Sequence, residues 1–138
     1  MPDKAALDQM KAPSLDDFEV LGGAALAGLP PEFRALIGDV EIRVDDFPTR
    51  AVLDDLEIES EFDLLGLFHG VGLAHAGASA VTGMLPNRVW LYRRPILDYW
   101  AEHDETLGAI ITHVLIHEIG HHFGLSDDDM DAIEEAAD

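Results

Sequence analysis

Residues 105–127, ETLGAIITHVLIHEIGHHFGLSD, decide how this chain is read. Apolar residues from Leu107 through Ile111, Leu115 and Ile119 to Phe123 cover nearly the whole circumference of a helix predicted over about 104–123, with Asp104 as its candidate N-cap. A helix apolar all round is buried, so the spacing predicts an element running through the middle of the domain. Within it His117-Glu118-Ile119-Gly120-His121 is an H-E-x-x-H. Residues four apart on a helix lie one turn above each other, so His117 and His121 can offer their imidazoles to a single point. That is the geometry of two legs of a tetrahedral zinc site. Glu118 is rotated by about 100° from His117. It is too far round to be an easy ligand but is placed to reach a water beside the cation, as a general base.

The segment that follows supplies a third ligand. Gly124 takes positive φ cheaply, so it can stop the helix and swing the chain back, and Asp127 can then approach from the side. Two imidazoles, one carboxylate and an open fourth position make a catalytic coordination set, whereas structural zinc sites are closed. The later Glu134 and Glu135 rank below Asp127, because the chain after it is too short for a distant glutamate on a long downstream segment. The bland alternative is a buried helix with a glycine stop. It would leave two histidines and a glutamate without partners on a mostly apolar helix, which is costly.

The motif HEIGHHFGLSDDDM (117–130), together with FDLLGLFHGVGL (62–73) and LPNRVWLYRRPIL (85–97), resembles the small bacterial zincin-like metallopeptidase family over residues 14–135. The resemblance implies a minimal zincin-like α+β domain. It also implies one Zn2+ per chain held by His117, His121 and Asp127, with Glu118 as the catalytic base. It implies a peptide or protein substrate without saying which one. Histidine and carboxylate ligands suit other first-row divalent metals as well.

Working outward, 138 residues suffice for one domain with a single core. Residues 1–13 read as a flexible arm and 14–138 as the domain. With 28 acidic and 8 basic residues the net charge is −20, a field that repels phosphate backbones and anionic lipid and so argues against nucleic-acid and membrane partners. It favours cations and basic peptides, although solubility is its plainer meaning. There are no cysteines, hence no disulfide, thiolate ligand or cysteine nucleophile. The apolar stretch 20–29 is preceded by a net acidic segment, unlike an export signal, so the cytoplasm is the expected location.

Ser14 caps a helix expected to end near Gly28, before Pro30-Pro31, and a short helix spans Glu32–Ile37. Residues 40–45 alternate as a one-sided strand, a short helix follows over about 50–56, and 64–73 and 88–93 read as strands. Residues 77–83 read as a loop, 95–103 as a short helix and 128–136 as the last helix, with Met130 facing inward. The fold class is therefore α+β, a small twisted mixed sheet packed on helices around a buried active-site helix. The glycines at 66, 70 and 72 suit an edge strand along which an extended peptide could lie.

His69, His75, Tyr92 and Tyr99 are all candidate donors to an oxyanion, unranked among themselves, and each tyrosine reads more readily as a half-buried core aromatic. His113, one turn before His117, reads as a packing or supporting residue, and His122 as structural. His103 reads as a surface residue, and Arg93 and Arg94 as a solvated strand end. A chain this small implies a shallow cleft. The alternative to a peptidase is therefore a metal-bound adaptor or regulatory protein that cleaves little, and a weaker one is an acidic interaction domain without metal. The sequence leaves the oligomeric state open.

Overall fold

The computed structural model describes residues 3–70 and 87–137. The helices are α1 (Lys4–Gln9), α2 (Leu15–Ala27), α3 (Pro31–Ile37), α4 (Arg50–Asp55), α5 (Arg93–Glu102), α6 (Leu107–His122) and α7 (Asp127–Ala136). The strands are β1 (Val40–Asp45), β2 (Gly66–His69) and β3 (Asn87–Tyr92), with a 3-10 turn at Glu61–Asp63. Among the described residues the strand order is β1-β3-β2, with β3 in the centre. It runs parallel to β1, pairing Ile42 with Val89, and antiparallel to β2, pairing Phe68 with Val89. This is the α+β arrangement with a small mixed sheet that the sequence implies. Readings that fall on 71–86, namely the end of the second strand, the loop at 77–83 and His75, lie outside the described residues.

Local chemistry explains most boundaries. Ser14 and Asp17 form a reciprocal capping box at the start of α2, satisfying two otherwise orphaned N–H groups. Ser126 and Asp129 repeat that device on α7. Residues 4–9, read from sequence as part of a loose arm, form a short helix capped by Asp3 with no buried residue. The cap of α6 is Thr106, not Asp104: its hydroxyl accepts from the Ala109 N–H at 3.1 Å. Trp100 donates its indole N–H to the Glu105 carbonyl at 2.9 Å, which ties down the chain just before that cap. Helix α5 begins at Arg93, directly after β3 and two residues earlier than expected, with Pro95 in its first turn where the missing N–H costs nothing.

The core lies between the sheet and the helices. Ile111, Leu115, Ile116 and Ile119 of α6 are fully buried there with Val89 and Leu91 of the central strand and Phe18 of α2. At about 1.5–3 kcal/mol for each large side chain, this burial outweighs the helix's own propensity and fixes its position. The circumference is not closed, however. Ala109, His113 and His121 are exposed, and His117 is only partly covered, so one stripe of the helix faces outward. No helix among the described residues is long and apolar enough to cross a membrane.

Candidate metal centre and active site

The open stripe of α6 carries three imidazoles one turn apart. The ring centroids of His113 and His117 are 3.9 Å apart, and those of His117 and His121 are 5.8 Å apart. Helix α6 ends in both bonds of a Schellman motif: the Gly124 N–H donates to the His121 carbonyl at 3.1 Å and the Leu125 N–H to that of Gly120 at 2.9 Å. Gly124 has a φ of 77°, the left-handed conformation for which a glycine was expected here. The chain then returns as α7 alongside α6, so the two helices form a hairpin. Met130 of α7 is fully buried against Gly120, where a Cβ would lie 2.5 Å from the methionine sulfur. The glycine inside H-E-x-x-H therefore lets the two helices approach.

This return brings Glu134 to the histidines. Its Oε1 lies 2.6 Å from His113 Nδ1 and 3.9 Å from His117 Nε2. Potential ligand atoms of His113, His117 and Glu134 all lie within 4.8 Å of one another, and no other three histidine or acidic residues among the described residues do. His121, exposed on the last turn of α6, and Asp127, the exposed first residue of α7, stand outside this group. Of the three ligands the motif nominates, His117 alone belongs to it. The sequence reads His113 as a packing or supporting residue and ranks Glu134 below Asp127. The signal that finds them is helical spacing. His113 is four before His117, and Glu134 is four after the inward-facing Met130 and seven after Asp127, hence on one face with both.

The His117 side chain is 20% exposed, yet its Nε2 is buried with no hydrogen-bond partner. Burial first, and the neighbouring His113 second, hold its pKa below the usual histidine value against an opposing pull from Glu134. The ring is thus held neutral, the form that binds metals. An orphaned, buried imidazole nitrogen beside a carboxylate and a second imidazole fits a first-row cation.

Glu118 faces a cavity of about 300 Å3 that Leu64, Leu65, Tyr99, His113 and His117 also line. Burial pushes its carboxyl up to about 7, from an ordinary 4.5. Gly66 sets the depth of that burial. A Cβ there would lie 2.6 Å from Val114 Cγ1, 2.9 Å from the Trp90 carbonyl and 3.5 Å from Glu118 Cγ, so only a glycine lets α6 lie this close to β2.

Of the candidate oxyanion donors, Tyr99 lines the cavity. Tyr92 is 3% exposed and its hydroxyl is pushed up to about 12, by burial first and then by the charges of Asp45 and Glu118. His69 is exposed at the end of β2. His122 packs its ring 4.4 Å from that of Phe68, and His103 stacks on Tyr99 at 3.7 Å. Arg93 is engaged elsewhere, with Asp46 at 3.0 Å and the Pro13 carbonyl at 2.6 Å, while Arg94 lies over the Phe47 ring.

The arrangement can therefore bind a cation at His117 and move a proton at Glu118 on one wall of a single cavity. No curated protein matches the chain. Residues 37–137 match the model of the Zincin-like metallopeptidase family, and the chain belongs to that family.

Proposed function

We propose that the protein is a zinc-dependent peptidase in which Glu118 is the general base. The observation that carries this reading is that Glu118 and His117 line one cavity, the first a largely buried carboxyl and the second an imidazole whose Nε2 has no hydrogen-bond partner. In the metal-free protein burial raises the Glu118 carboxyl to about 7, and a cation held beside it would draw that value down and keep the base ionised. His117, with His121 and Asp127 as the motif specifies, would hold one Zn2+ per chain. When bound, the cation lowers the pKa of water to about 7 and polarises the scissile carbonyl.

The chain's own residues do the rest. Glu118 takes a proton from the attacking water and returns it to the leaving nitrogen. Tyr99 is the donor placed on the cavity wall to meet charge on the carbonyl oxygen. An extended peptide would lie against β2, at the edge of the described sheet, with Leu64 and Leu65 leading into the cavity. The volume of about 300 Å3 suits a few side chains, so short peptides or exposed loops are the expected substrates.

Replacing Glu118 with Gln tests this. The variant should keep its metal and lose about 10²–10⁴-fold in kcat on a mixed peptide library. Cleavage at the wild-type rate would overturn the reading. A second reading, a metal-bound protein that regulates or scaffolds while cleaving little, is favoured by the position of His121 and Asp127 outside the gathered group. It is distinguished by wild-type turnover no higher than that of the Gln variant.

A further inference from the structure

The motif directs attention to the C-terminal end of α6, yet the gathered ligand atoms lie one turn earlier. His113, His117 and Glu134 combine two imidazoles with a carboxylate, a donor set for Zn2+, Co2+ and similar ions. The three come from two helices already locked together. Met130 is packed on Gly120, and Glu134 lies one turn beyond Met130. The Glu134 Oε1 lies 3.9 Å from His117 Nε2, near the separation of two donors that share one ion at about 2.0–2.2 Å each. Both histidines also line the cavity, which gives an ion a path from solvent.

We propose that His113, His117 and Glu134 form a cation site in their own right, alternative to His117, His121 and Asp127. His117 is common to the two, so one ion is held at a time, and the hairpin offers it two positions along the histidine row. Glu134 then does for the first position what Asp127 does for the second, from the same face of α7 two turns away. The inference rests on the chain being a metal binder, as the proposed function does, but not on peptide cleavage.

Co2+ titration of the full chain tests it, with the visible absorption band and the bound-metal content as readouts. The double variant His121→Ala/Asp127→Asn should still bind one Co2+ per chain, with a shifted band. Adding His113→Ala and Glu134→Gln to it should abolish binding, while circular dichroism reports that the fold is kept. His113 and Glu134 are solvent-accessible, their side chains 49% and 37% exposed, so these changes leave the core intact. Wild-type protein that binds Co2+ and cleaves peptides, beside a His121→Ala/Asp127→Asn variant that binds none, would overturn the second site and leave the peptidase reading standing. Retention of Co2+ by the fourfold variant would also overturn it. A Glu118→Gln protein that cleaves like wild type, with the second site intact, would overturn the peptidase reading alone.

Discussion

The two faces of α6 behave as two different materials. On one, Ile111, Leu115, Ile116 and Ile119 are fully buried against the sheet and α2, with no polar atom among them. On the other, His113, His117 and His121 follow one another up an open stripe, where His113 pairs with Glu134 and both side chains stay accessible to solvent. Glu118 sits on the seam, close enough to β2 to be desolvated and close enough to the stripe to face the cavity. The contrast shows how a small domain holds reactive groups still. The apolar face supplies the rigidity, and the chemistry is confined to side chains one residue removed from it.

The comparison can be broken most severely from the apolar side. Ile116→Ala empties a fully buried position next to the first motif histidine and should cost about 2–5 kcal/mol in denaturant unfolding. A loss below about 1 kcal/mol would mean that this face is not the anchor described.

Next in size is a pH effect arising at the seam. In the metal-free protein the Glu118 carboxyl, at about 7, holds a proton that the unfolded chain releases near 4.5. The folded state therefore binds more protons between those values, so this contribution to stability falls as pH rises from about 4.5 to 7 and is level above. The burial is incomplete, and the change should be up to about 2–3 kcal/mol. His117 acts in the opposite sense, since its depressed pKa makes stability rise as pH approaches 6.5 from below. The stability difference between wild type and Glu118→Gln, measured by urea unfolding across pH 4.5–8, isolates the glutamate. A difference that does not vary with pH would remove Glu118 from the desolvated seam.

Gly66→Ala sharpens the same boundary with a smaller effect. The added methyl meets Val114 and a backbone carbonyl, so about 1–3 kcal/mol of stability should be lost as α6 and β2 separate. The Glu118 carboxyl should then titrate lower than in the parent protein, which NMR would record. An unchanged titration would mean that the strand does not set its burial.

Much of this was legible in the residues themselves, because the signals were local. The Ser14 cap, the Gly124 stop and the inward Met130 each depend on a few neighbours and occur in the structure as read, while 40–45 is a strand whose burial alternates from Ile42 to Asp45. Local chemistry does not separate Asp104 from Thr106 as the cap, since both types are good N-caps; in the structure Thr106 accepts the Ala109 N–H and the Trp100 indole binds the carbonyl just before it. The open stripe of α6 was missed because periodicity counted apolar positions and did not ask what covered the gaps between them. Glu134 was undervalued for a related reason. Distance along the chain was weighed for it, while the packing of Met130 on Gly120, which carries it back to His113, is a tertiary fact.

The tight turn at Gly124 also bears on the order of assembly. It closes a helical hairpin in which His113 and Glu134 meet across a separation of 21 residues, whereas the salt bridge between Glu41 and Arg88, which joins β1 to β3, spans 47. The shorter loop loses less chain entropy on closing. The candidate-site hairpin is therefore closed at a smaller loop cost than the pairing of the two parallel strands.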